Sequence, residues 1–596
     1  MPIVDRILRI DLTAGSVTSE EIPEPWLERY VGGKGIGARY LYEELEARVD
    51  PHAPANVLAF VVGPLTGYTP GDQRYAAITK SPLTGTFLDS YAGGTFPARL
   101  AGSLGEHMGV LVTGEADEPV VLSIEDGEGY LEAADDLWGL DAAETCERFP
   151  DAAVACVGPA GEAGVQYATI ASDGGDHHAG RGGAGTVMGA KQLKAVVARG
   201  REPDPDRLAD LRAAYVDAFA DSDAGRWLAA SDTLETVDFA NEVGALPTRG
   251  WQEGRFEGAD RIGIEQARER ANERERPDDP VPGGFRIDSD EGESVPRGAT
   301  PISLGAGLGI DDFDAVATLG AVCDRLAMDV ITAGNAVAWA ILASQEGLID
   351  RDLEFGDETA ARRLIEEIAH RSSPLGDALA GGVGGAADRF GGDELIPTVK
   401  GMELSSYDPR SAEAMALAYA TSDRGACHRR ARPVELEAVS GEEWSADRRI
   451  STVIAEQNRR AVLWSLVADD FLEEVIDPES GAEWLGAVGY DIAPEEVARV
   501  GERIWTLVRL FNVREGFTRE DDELPAALTD PLEGGPHDGA AIDPDAFEAV
   551  LEGYYAARGW DRRGRPTSDL LSRLDLTGVP DGETPVPEGP DGRTEG

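Results

Sequence analysis

Four segments in the first two hundred residues contain glycine at suggestive positions, and three of them also carry a lysine or an arginine. At such glycines a ligand or another part of the chain can come close to the backbone. Residues 178–191, HAGRGGAGTVMGAK, place five glycines around Arg181. Such a density indicates that something lies very close to the main chain, since glycine is entropically costly. The others are GGKGIG with Lys34, QRYAAITKSPLTG with Arg74 and Lys80, and DSYAGG. Together they favour a broad, multiply anionic ligand; tight turns are the alternative, but turns alone do not require the cations.

The glycine pattern does not by itself predict a nucleotide site. Gly180, Gly182 and Gly185 match GxGxxG, but a dinucleotide fingerprint needs a strand running directly into the glycines. The apolar run YATIA ends eight residues earlier, and no alternating βαβ series follows. No GxxxxGK[ST] phosphate loop can be found in the segment either.

Lysine is rare in this chain, and arginine fills most basic positions. A compact ammonium is not interchangeable with a guanidinium. We therefore interpret the segments that keep lysine as candidate ligand contacts, with chance retention as the alternative. The lysines are Lys34, Lys80, Lys191, Lys194 and Lys400.

The net charge is strongly negative, −57 from 54 basic and 111 acidic residues. This argues against nucleic-acid binding, which needs basic surface. Acidic charge on both halves predicts a halophilic protein; an acid-rich activation or buffering protein is the weaker alternative. The start, MPIVDRILRIDLTAG, reads as a strand and not as a signal peptide, and AVAWAILA is too short to span a bilayer. We expect a soluble, cytoplasmic protein that does not bind membranes.

The hydrophobic pattern of the sequence changes from strand-like to helix-like near residue 203. Short apolar runs punctuated by Gly and Pro predict a β-rich domain over 1–203. Apolar residues at helical spacing then predict helical domains over 207–395 and 396–575, divided near the Gly-rich GGVGGAADRFGGDE. The polar, proline-rich residues 576–596 predict a disordered tail. The expected fold class is α+β, with a β-rich platform followed by two mainly helical domains.

The four cysteines do not form a local metal motif. Cys146, Cys156, Cys323 and Cys427 are all far apart in sequence. This spacing disfavours a sequence-local zinc or iron–sulfur site and favours free thiols in a reducing compartment.

Taken in order, the motifs resemble the aldehyde:ferredoxin oxidoreductase family of tungstopterin enzymes, over roughly residues 5–515. They include VGGKGIGARYLYEEL, GPLTGYTPGDQRYAAITKSPLTG, DSYAGG, HAGRGGAGTVMGAKQLKAV, CDRLAMDVITAGN, VKGMELSSYDPR and LAYATSDRGACHRRA. The resemblance implies a β-rich platform and helical domains enclosing tungsten or molybdenum held by two pterins. It also implies aldehyde oxidation with ferredoxin or another electron acceptor, and a homodimer.

The resemblance implies a role in cofactor binding for several residues of the first domain. The glycine loop would cradle a pterin phosphate, and the loops described above would supply the further contacts. Tyr91 replaces an asparagine of the family's magnesium site, which argues against that ion. The predicted cofactor-binding residues of the platform are Lys34, Arg74, Lys80, Gly93, Gly94, Arg181, Gly182, Gly183 and Ala184.

The helical part contributes three further candidates. Asp324 and Asp329 match the family's DxxGLD motif, and their carboxylates can accept from the N–H groups of a pterin. The alternative for Asp329 is that it only caps the following helix. His428 matches a histidine near the metal and can move a proton, which makes it the candidate catalytic residue. A surface hydrogen-bonding role for His428 is the alternative.

The positions of the family's [4Fe–4S] ligands are changed. The stretch PDDPVPGGF places Asp278, Val281 and Phe285 at three of them, and WSLVAD places Asp469 at the fourth. Iron–sulfur clusters need thiolates, so the cluster is expected to be absent.

A family stretch that carries acidic residues near the metal is also altered. It corresponds to VPRGAT, where Arg297 and Ala299 stand at the acidic positions. This change favours an anionic substrate or the loss of aldehyde turnover. Two hypotheses follow: an oxidoreductase that works without the internal cluster, or a non-catalytic pterin-binding or scaffold paralogue.

Overall fold

A computed structural model of the chain describes residues 4–69, 71–440 and 442–589. The described residues form two compact units. We call residues 1–229, 324–328 and 458–516 the platform unit. We call residues 230–323, 329–457 and 517–596 the helical unit.

The platform unit contains two six-stranded sheets. One has the strand order β2-β1-β6-β3-β4-β5 and the other β11-β10-β9-β12-β7-β8. Most neighbours are antiparallel; β1–β6 and β12–β7 are parallel. The strands are β1 (Arg6–Asp11), β2 (Ser16–Glu21), β3 (Leu58–Val61), β4 (Tyr75–Lys80), β5 (Phe87–Ala92), β6 (His107–Thr113), β7 (Val120–Glu125), β8 (Glu128–Ala133), β9 (Ala153–Cys156), β10 (Ile170–Ser172), β11 (His177–Ala179) and β12 (Leu193–Ala198).

The apolar runs of the sequence form the core of this unit. Strands β3 and β4 are buried at every position, as a strand covered on both faces requires. Leu58, Phe60, Val110, Leu122 and Val196 belong to one hydrophobic cluster that draws on both sheets. Full burial of such side chains contributes about 1.5–3 kcal/mol each. The prediction of a β-rich N-terminal region is confirmed.

Helices dominate the rest of the chain, which confirms the predicted fold class. They are α1 (Glu24–Tyr30), α2 (Gly33–Glu44), α3 (Phe96–Leu104), α4 (Ala142–Glu147), α5 (Pro159–Glu162), α6 (Ala184–Ala190), α7 (Ala209–Asp221), α8 (Asp223–Ser231), α9 (Thr236–Glu242), α10 (Ile264–Arg270), α11 (Phe313–Leu326), α12 (Val330–Gln345), α13 (Glu358–Ala369), α14 (Pro374–Leu379), α15 (Gly382–Phe390), α16 (Ala414–Ala420), α17 (Val434–Ser440), α18 (Ala446–Leu466), α19 (Pro478–Ala487), α20 (Pro494–Glu515), α21 (Pro544–Arg558) and α22 (Ser568–Arg573).

The helical unit is organised around α12, which is apolar on all sides and buried along nearly its whole length. Small hairpins accompany the helices: β13 (Ala271–Arg274), β14 (Phe285–Ser289) and β15 (Gly292–Ser294) form one sheet, and β16 (Thr398–Val399) and β17 (Met402–Glu403) another. These short strands were not predicted. No helix within residues 4–69, 71–440 and 442–589 is long and apolar enough to cross a bilayer.

The predicted domain limits remain predictions. Of the predicted disordered tail, residues 590–596 lie outside the described residues. Within 576–589, the side chain of Leu576 is buried, and the backbone N–H of Ser568 donates to the carbonyl oxygen of Pro587 at 2.9 Å.

Candidate functional site

The glycine loop of the platform unit follows directly on β11, a strand that the sequence analysis did not predict. Because β11 pairs antiparallel with β10, the loop is still not part of a dinucleotide-binding βαβ unit. Gly182 and Gly183 have φ of 95° and 86°, which only glycine adopts readily. A side chain at Gly183 would collide with the backbone oxygen of Gln166. Packing within the chain therefore explains these glycines, whereas a Cβ at Gly180 would meet no other atom within 4 Å.

The cation of this loop, Arg181, is buried. Ala184 begins helix α6 and is also buried. Helix α6 has only seven residues. A helix of this length has a weak dipole, so its N-terminus alone does not indicate an anion site. The guanidinium of Arg181 is the group of this loop that can meet a phosphate.

Arg74 lies between two carboxylates of the same unit. Its Nη2 is 3.0 Å from Oδ2 of Asp469, and its Nη1 is 3.4 Å from Oδ2 of Asp72. Burial opposes the charge of Arg74, but these two carboxylates and that of Asp470 outweigh it and raise the pKa of the guanidinium. Its Nε has no hydrogen-bond partner among the described residues. One donor of this buried cation therefore remains available.

The predicted contacts Gly93 and Gly94 adjoin this cluster. A side chain at Gly93 would collide with Asp72, and one at Gly94 would collide with Asp173. The backbone N–H of Gly94 donates to Oδ1 of Asp72 at 3.1 Å. The double glycine thus lets Asp72 reach both Arg74 and the main chain.

Lys34 is fully buried in the first turn of α2. Its Nζ lies 3.1 Å from Oδ2 of Asp89 and 5.2–5.9 Å from the ring centres of Phe87, Trp464 and Trp505. Tyr91 donates its hydroxyl to the same Asp89 oxygen at 2.7 Å. The charge of Lys34 is thus matched within the platform unit by a carboxylate and aromatic rings.

The other lysines are buried in the same manner. Lys80 donates to Glu515 at 2.5 Å and Lys194 to Glu162 at 2.6 Å. Lys191 donates to two backbone carbonyls at 3.1 Å, and burial lowers its pKa to about 8 although Glu115 raises it. In the helical unit, Lys400 lies 2.6 Å from Asp522. Buried contacts that suit a compact ammonium account for the retained lysines; cofactor contact by Lys34 and Lys80 stays a prediction.

Asp324 pairs with a histidine that the sequence analysis did not single out. Nε2 of His178 lies 3.3 Å from Oδ1 of Asp324 and 2.7 Å from the carbonyl oxygen of Gly175. Its Nδ1 lies 2.7 Å from Oγ1 of Thr169. Burial lowers the pKa of His178, but the hydrogen bond and charge of Asp324 outweigh it, so the pKa is raised. Asp324 remains partly accessible, with 24% of its side chain exposed.

The His178–Asp324 pair predicts a pH-dependent contribution to stability. Since the folded-state pKa of His178 lies above the usual 6.5, the contribution is complete below pH 6.5 and is lost as pH rises through the folded-state value. We expect H178Q to lower the free energy of unfolding by about 1 kcal/mol at pH 6 and by less at pH 9. Urea unfolding at both pH values measures this, with H370Q at an exposed histidine as control. An equal loss at both pH values would contradict the prediction.

The residues at the family's cluster positions do not fit an iron–sulfur cluster. Asp469 accepts from Arg74 and, through Oδ1, from the backbone N–H of Phe471. In the helical unit, Phe285 is buried with Arg274 over its ring at 4.1 Å, Asp278 is exposed, and Val281 is half-buried. None of these side chains contains sulfur, which such a cluster requires.

Trp464 is the first residue of the WSLVAD stretch that ends in Asp469. The ring of Trp464 stacks on that of Tyr91, with ring centres 5.5 Å apart. Since the Tyr91 hydroxyl donates to Asp89, Tyr91 serves to orient that carboxylate. Magnesium binding gains no support from this arrangement.

Asp329 caps α12, as the structural alternative predicted. Its carboxylate accepts from the backbone N–H groups of Ile331 and Thr332 at 3.4 and 3.0 Å. Such a cap stabilises a helix by about 1 kcal/mol. A role toward a pterin remains a prediction for Asp329.

His428 of the helical unit is half-buried and is fixed on one side. Its Nδ1 lies 2.9 Å from the hydroxyl oxygen of Ser405, and the ring of Tyr407 meets it edge-on, with ring centres 6.2 Å apart. The preceding residue, Cys427, accepts from Arg424 through its sulfur at 3.0 Å. These contacts restrain the imidazole, and positioning of this kind is what a proton-transfer group requires.

Ser405 also lines a cavity of about 20 Å³ within the helical unit. Its walls include Ile302, Ile331 and Leu404. Trp251, another wall residue, donates its indole N–H to Oδ1 of Asn335 at 2.8 Å. Among the described residues that line the cavity, none is charged. No local sequence pattern reveals this cavity, because its walls come from four separate stretches of the chain.

Arg297, which the sequence analysis associated with an anionic substrate, is held by carboxylates. It lies 3.0 Å from Oε2 of Glu275 and 3.5 Å from Oδ2 of Asp232. Both carboxylates are buried. Their negative charge offsets that of Arg297, so the expectation of an anionic substrate gains no support here.

Several groups of the platform unit suit an anionic pterin. Arg74 has an unused buried donor, Arg181 is a second buried cation, Gly180 borders open space, and Asp324 presents an accessible acceptor. Guanidinium donors suit the oxygens of a phosphate, and a carboxylate acceptor suits the ring N–H groups of a pterin. By contrast, no group of three or more His, Cys, Asp or Glu among the described residues is arranged to hold a metal ion.

Two family models match nearly the whole chain. The N-terminal domain of aldehyde ferredoxin oxidoreductase matches residues 7–200, and its domains 2 and 3 match residues 210–576. A tungsten-containing aldehyde ferredoxin oxidoreductase of Pyrococcus abyssi is 33% identical over 96% of this chain and 98% of the relative. The WOR-like subunit of an aliphatic sulfonate oxidoreductase of Pyrococcus furiosus is 26% identical over 96% of both.

A solved structure shares the fold. It is the active site complex BamBC of benzoyl coenzyme A reductase with 1,5-dienoyl-CoA, with a TM-score of 0.83, 23% identity and 97% of each chain covered. At that identity the likeness concerns the fold alone. The two family models and the relative from Pyrococcus abyssi establish the assignment: this chain belongs to the aldehyde ferredoxin oxidoreductase family.

Proposed function

We propose that this chain oxidises an aldehyde to the carboxylic acid, with a tungsten or molybdenum bis-pterin as cofactor. An aldehyde and water give a carboxylic acid, two protons and two electrons. The bound pterin–metal group supplies the acceptor for those electrons. The observation that carries the proposal is the imidazole of His428, hydrogen-bonded to Ser405, in a chain of this family.

His428 would take up a proton from the hydrated aldehyde. To act as a base through Nε2, the ring must carry its proton on Nδ1 and donate it to the Ser405 oxygen. The 2.9 Å separation of Nδ1 and Oγ suits that hydrogen bond. When the Ser405 oxygen accepts from Nδ1, Nε2 is the basic atom of the ring.

Platform residues would hold the cofactor. Arg74 and Arg181 provide buried guanidinium groups for phosphates, and Asp324 accepts from N–H groups of a pterin. The orientation of Asp324 is supported by His178. Substitution of Arg74, Arg181 or Asp324, followed by measurement of the pterin bound per chain, tests these assignments.

We further propose that the chain works without the [4Fe–4S] cluster. The family positions carry Asp278, Val281, Phe285 and Asp469, and Asp469 is engaged by Arg74. Electrons would then pass to an external one-electron carrier, such as a ferredoxin, that approaches the cofactor directly.

Metal analysis with an activity assay tests the proposal. For the full chain purified in high salt, as the charge of −57 demands, we expect stoichiometric tungsten or molybdenum and no stoichiometric iron. Aldehyde-dependent reduction of a viologen dye should accompany the metal. Stoichiometric iron would refute the cluster-free proposal, and the absence of both metal and pterin would refute the cofactor assignment.

A non-catalytic pterin-binding or scaffold paralogue is the second candidate. It is favoured by Arg297 and Ala299 at acidic family positions. This candidate predicts bound pterin without dye reduction by any aldehyde. The two assays together therefore distinguish the candidates.

A further inference from the structure

Two of the four cysteines approach each other in the platform unit. Cys146 lies near the end of α4, and Cys156 ends β9. Cys156 is fully buried in a hydrophobic cluster, and the half-buried Cys146 packs against that cluster. The sulfur of Cys156 lies 3.9 Å from the carbonyl oxygen of Ala142. Ala142 is one helical turn before Cys146, on the side toward which the Cys146 side chain leans.

The two thiols share a hydrogen bond. The Cys156 thiol donates to the sulfur of Cys146, and the backbone N–H of Gly174 donates to the same sulfur. The hydrogen bond from Cys156 lowers the pKa of the Cys146 thiol and outweighs burial, which raises it. The same hydrogen bond and burial raise the pKa of Cys156. Cys146 is therefore the thiol that ionises first, and it is also the one that solvent reaches.

This difference between the thiols is the one that a reversible disulfide requires. An accessible thiolate is oxidised by peroxide to a sulfenic acid, which a second thiol nearby then attacks. Cys146 has the properties of the first thiol, and Cys156 is placed as the second, because it is sheltered from direct oxidation. A disulfide brings two sulfur atoms to about 2.0 Å. Thiols that already share a hydrogen bond need only small side-chain rotations to form one.

We propose that Cys146 and Cys156 form a reversible disulfide within the chain when it meets hydrogen peroxide. The Cys146 thiolate attacks the peroxide, takes up one oxygen as the sulfenic acid, and releases hydroxide. The Cys156 thiol then attacks the Cys146 sulfur, and its proton leaves with the sulfenic hydroxyl as water. One peroxide thus accepts the two electrons of two thiols, and a dithiol reverses the reaction. This site goes beyond the proposed function and does not depend on it.

The disulfide acts on the turn that supports His178. Gly174, which donates to Cys146, is followed by Gly175, whose carbonyl oxygen lies 2.7 Å from Nε2 of His178. A disulfide sulfur accepts a hydrogen bond more weakly than a thiolate does. Oxidation therefore loosens the turn at Gly174 and Gly175, next to the imidazole that contacts Asp324.

Peptide mapping of the full chain detects the disulfide directly. Trypsin cleaves after Arg148 and separates residues 100–148, whose single cysteine is Cys146, from residues 149–181, whose single cysteine is Cys156. After treatment of the reduced chain with hydrogen peroxide, we expect these two peptides to be joined in most chains and to separate again with dithiothreitol. Peptides that stay separate after peroxide treatment would overturn the inference.

Three variants assign the roles of the two thiols. In C156S, the sulfenic acid of Cys146 meets no second thiol and should accumulate as its dimedone adduct, whereas C146S should form neither product. C323A removes a buried cysteine of the helical unit and should form the disulfide as the wild type does. In the reduced chain, iodoacetamide should alkylate Cys146 at least about tenfold faster than Cys156 at pH 7. Equal alkylation of both thiols, or a dimedone adduct on Cys156 in C146S, would overturn the assignment.

Amide hydrogen exchange tests the effect on the turn. Exchange within residues 173–178 should become about threefold faster or more after oxidation of the wild-type chain. The same residues of C146S should not respond to peroxide. Exchange that is unchanged by formation of the disulfide would reject its effect on His178.

Discussion

H428A is expected to lower kcat for aldehyde oxidation by about 10²–10⁴-fold, the usual contribution of a general base. The imidazole is half-buried and held by Ser405, so its removal takes away the proton acceptor with little loss of packing. Cofactor content and melting temperature should therefore stay near those of the wild type. Dye reduction under saturating aldehyde, together with pterin fluorescence after denaturation, measures both.

S405A tests how His428 is positioned. We expect a smaller loss of kcat, about tenfold, together with a change in the pH profile, because His428 loses its hydrogen-bond partner at Nδ1. S405T retains the hydroxyl and should restore most of the activity. H370A, at an exposed histidine, is the matched control. If H428A kept activity within a few fold of the wild type, the catalytic assignment would be wrong.

Much of the fold follows from local patterns. The runs RILRIDL, VLAFVVG and KAVVARG became strands because they are apolar, β-branched and bounded by turn residues. β2, β5 and β8 were missed because polar residues interrupt them, and β11 because it has only three residues. Their existence depends on hydrogen bonds to neighbouring strands, which no local pattern reveals.

The sequence predicted which segments contribute to the candidate site, but it did not predict which of their residues contact one another. The sequence located Lys34 and Arg74, but their partners are 55 and 395 residues away. Pairing over such separations depends on the folded chain. His178 opens the glycine-rich segment around Arg181, yet only the approach of Asp324 shows what its imidazole contacts.

Asp469, which the resemblance places at a cluster-cysteine position, shows the same limit. From sequence, an aspartate there indicates only the loss of a thiolate. The structure adds that this carboxylate lies 3.0 Å from Arg74, itself a predicted cofactor contact. The substitution thus provides a counter-ion for a buried cation, which cysteine in its neutral form does not.

D469A is expected to lower the free energy of unfolding by about 3 kcal/mol, since removing one member of a buried ion pair leaves the other uncompensated. The side chains of Arg74 and Asp469 are only 16% and 7% exposed, so solvent screens the pair weakly. Asp72, at 3.4 Å from Arg74, remains and limits the loss. Chemical denaturation in constant high salt measures the difference.

Two further variants assign the loss to the ion pair. D469N removes the charge but keeps an oxygen that can accept from the backbone N–H of Phe471, so it should lose most of the stability that D469A loses. E265A removes the partner of Arg268 in an exposed pair and should cost at most about 1 kcal/mol. If D469N were as stable as the wild type, Asp469 would act mainly through its hydrogen bond to the backbone of Phe471, and the counter-ion role would be rejected.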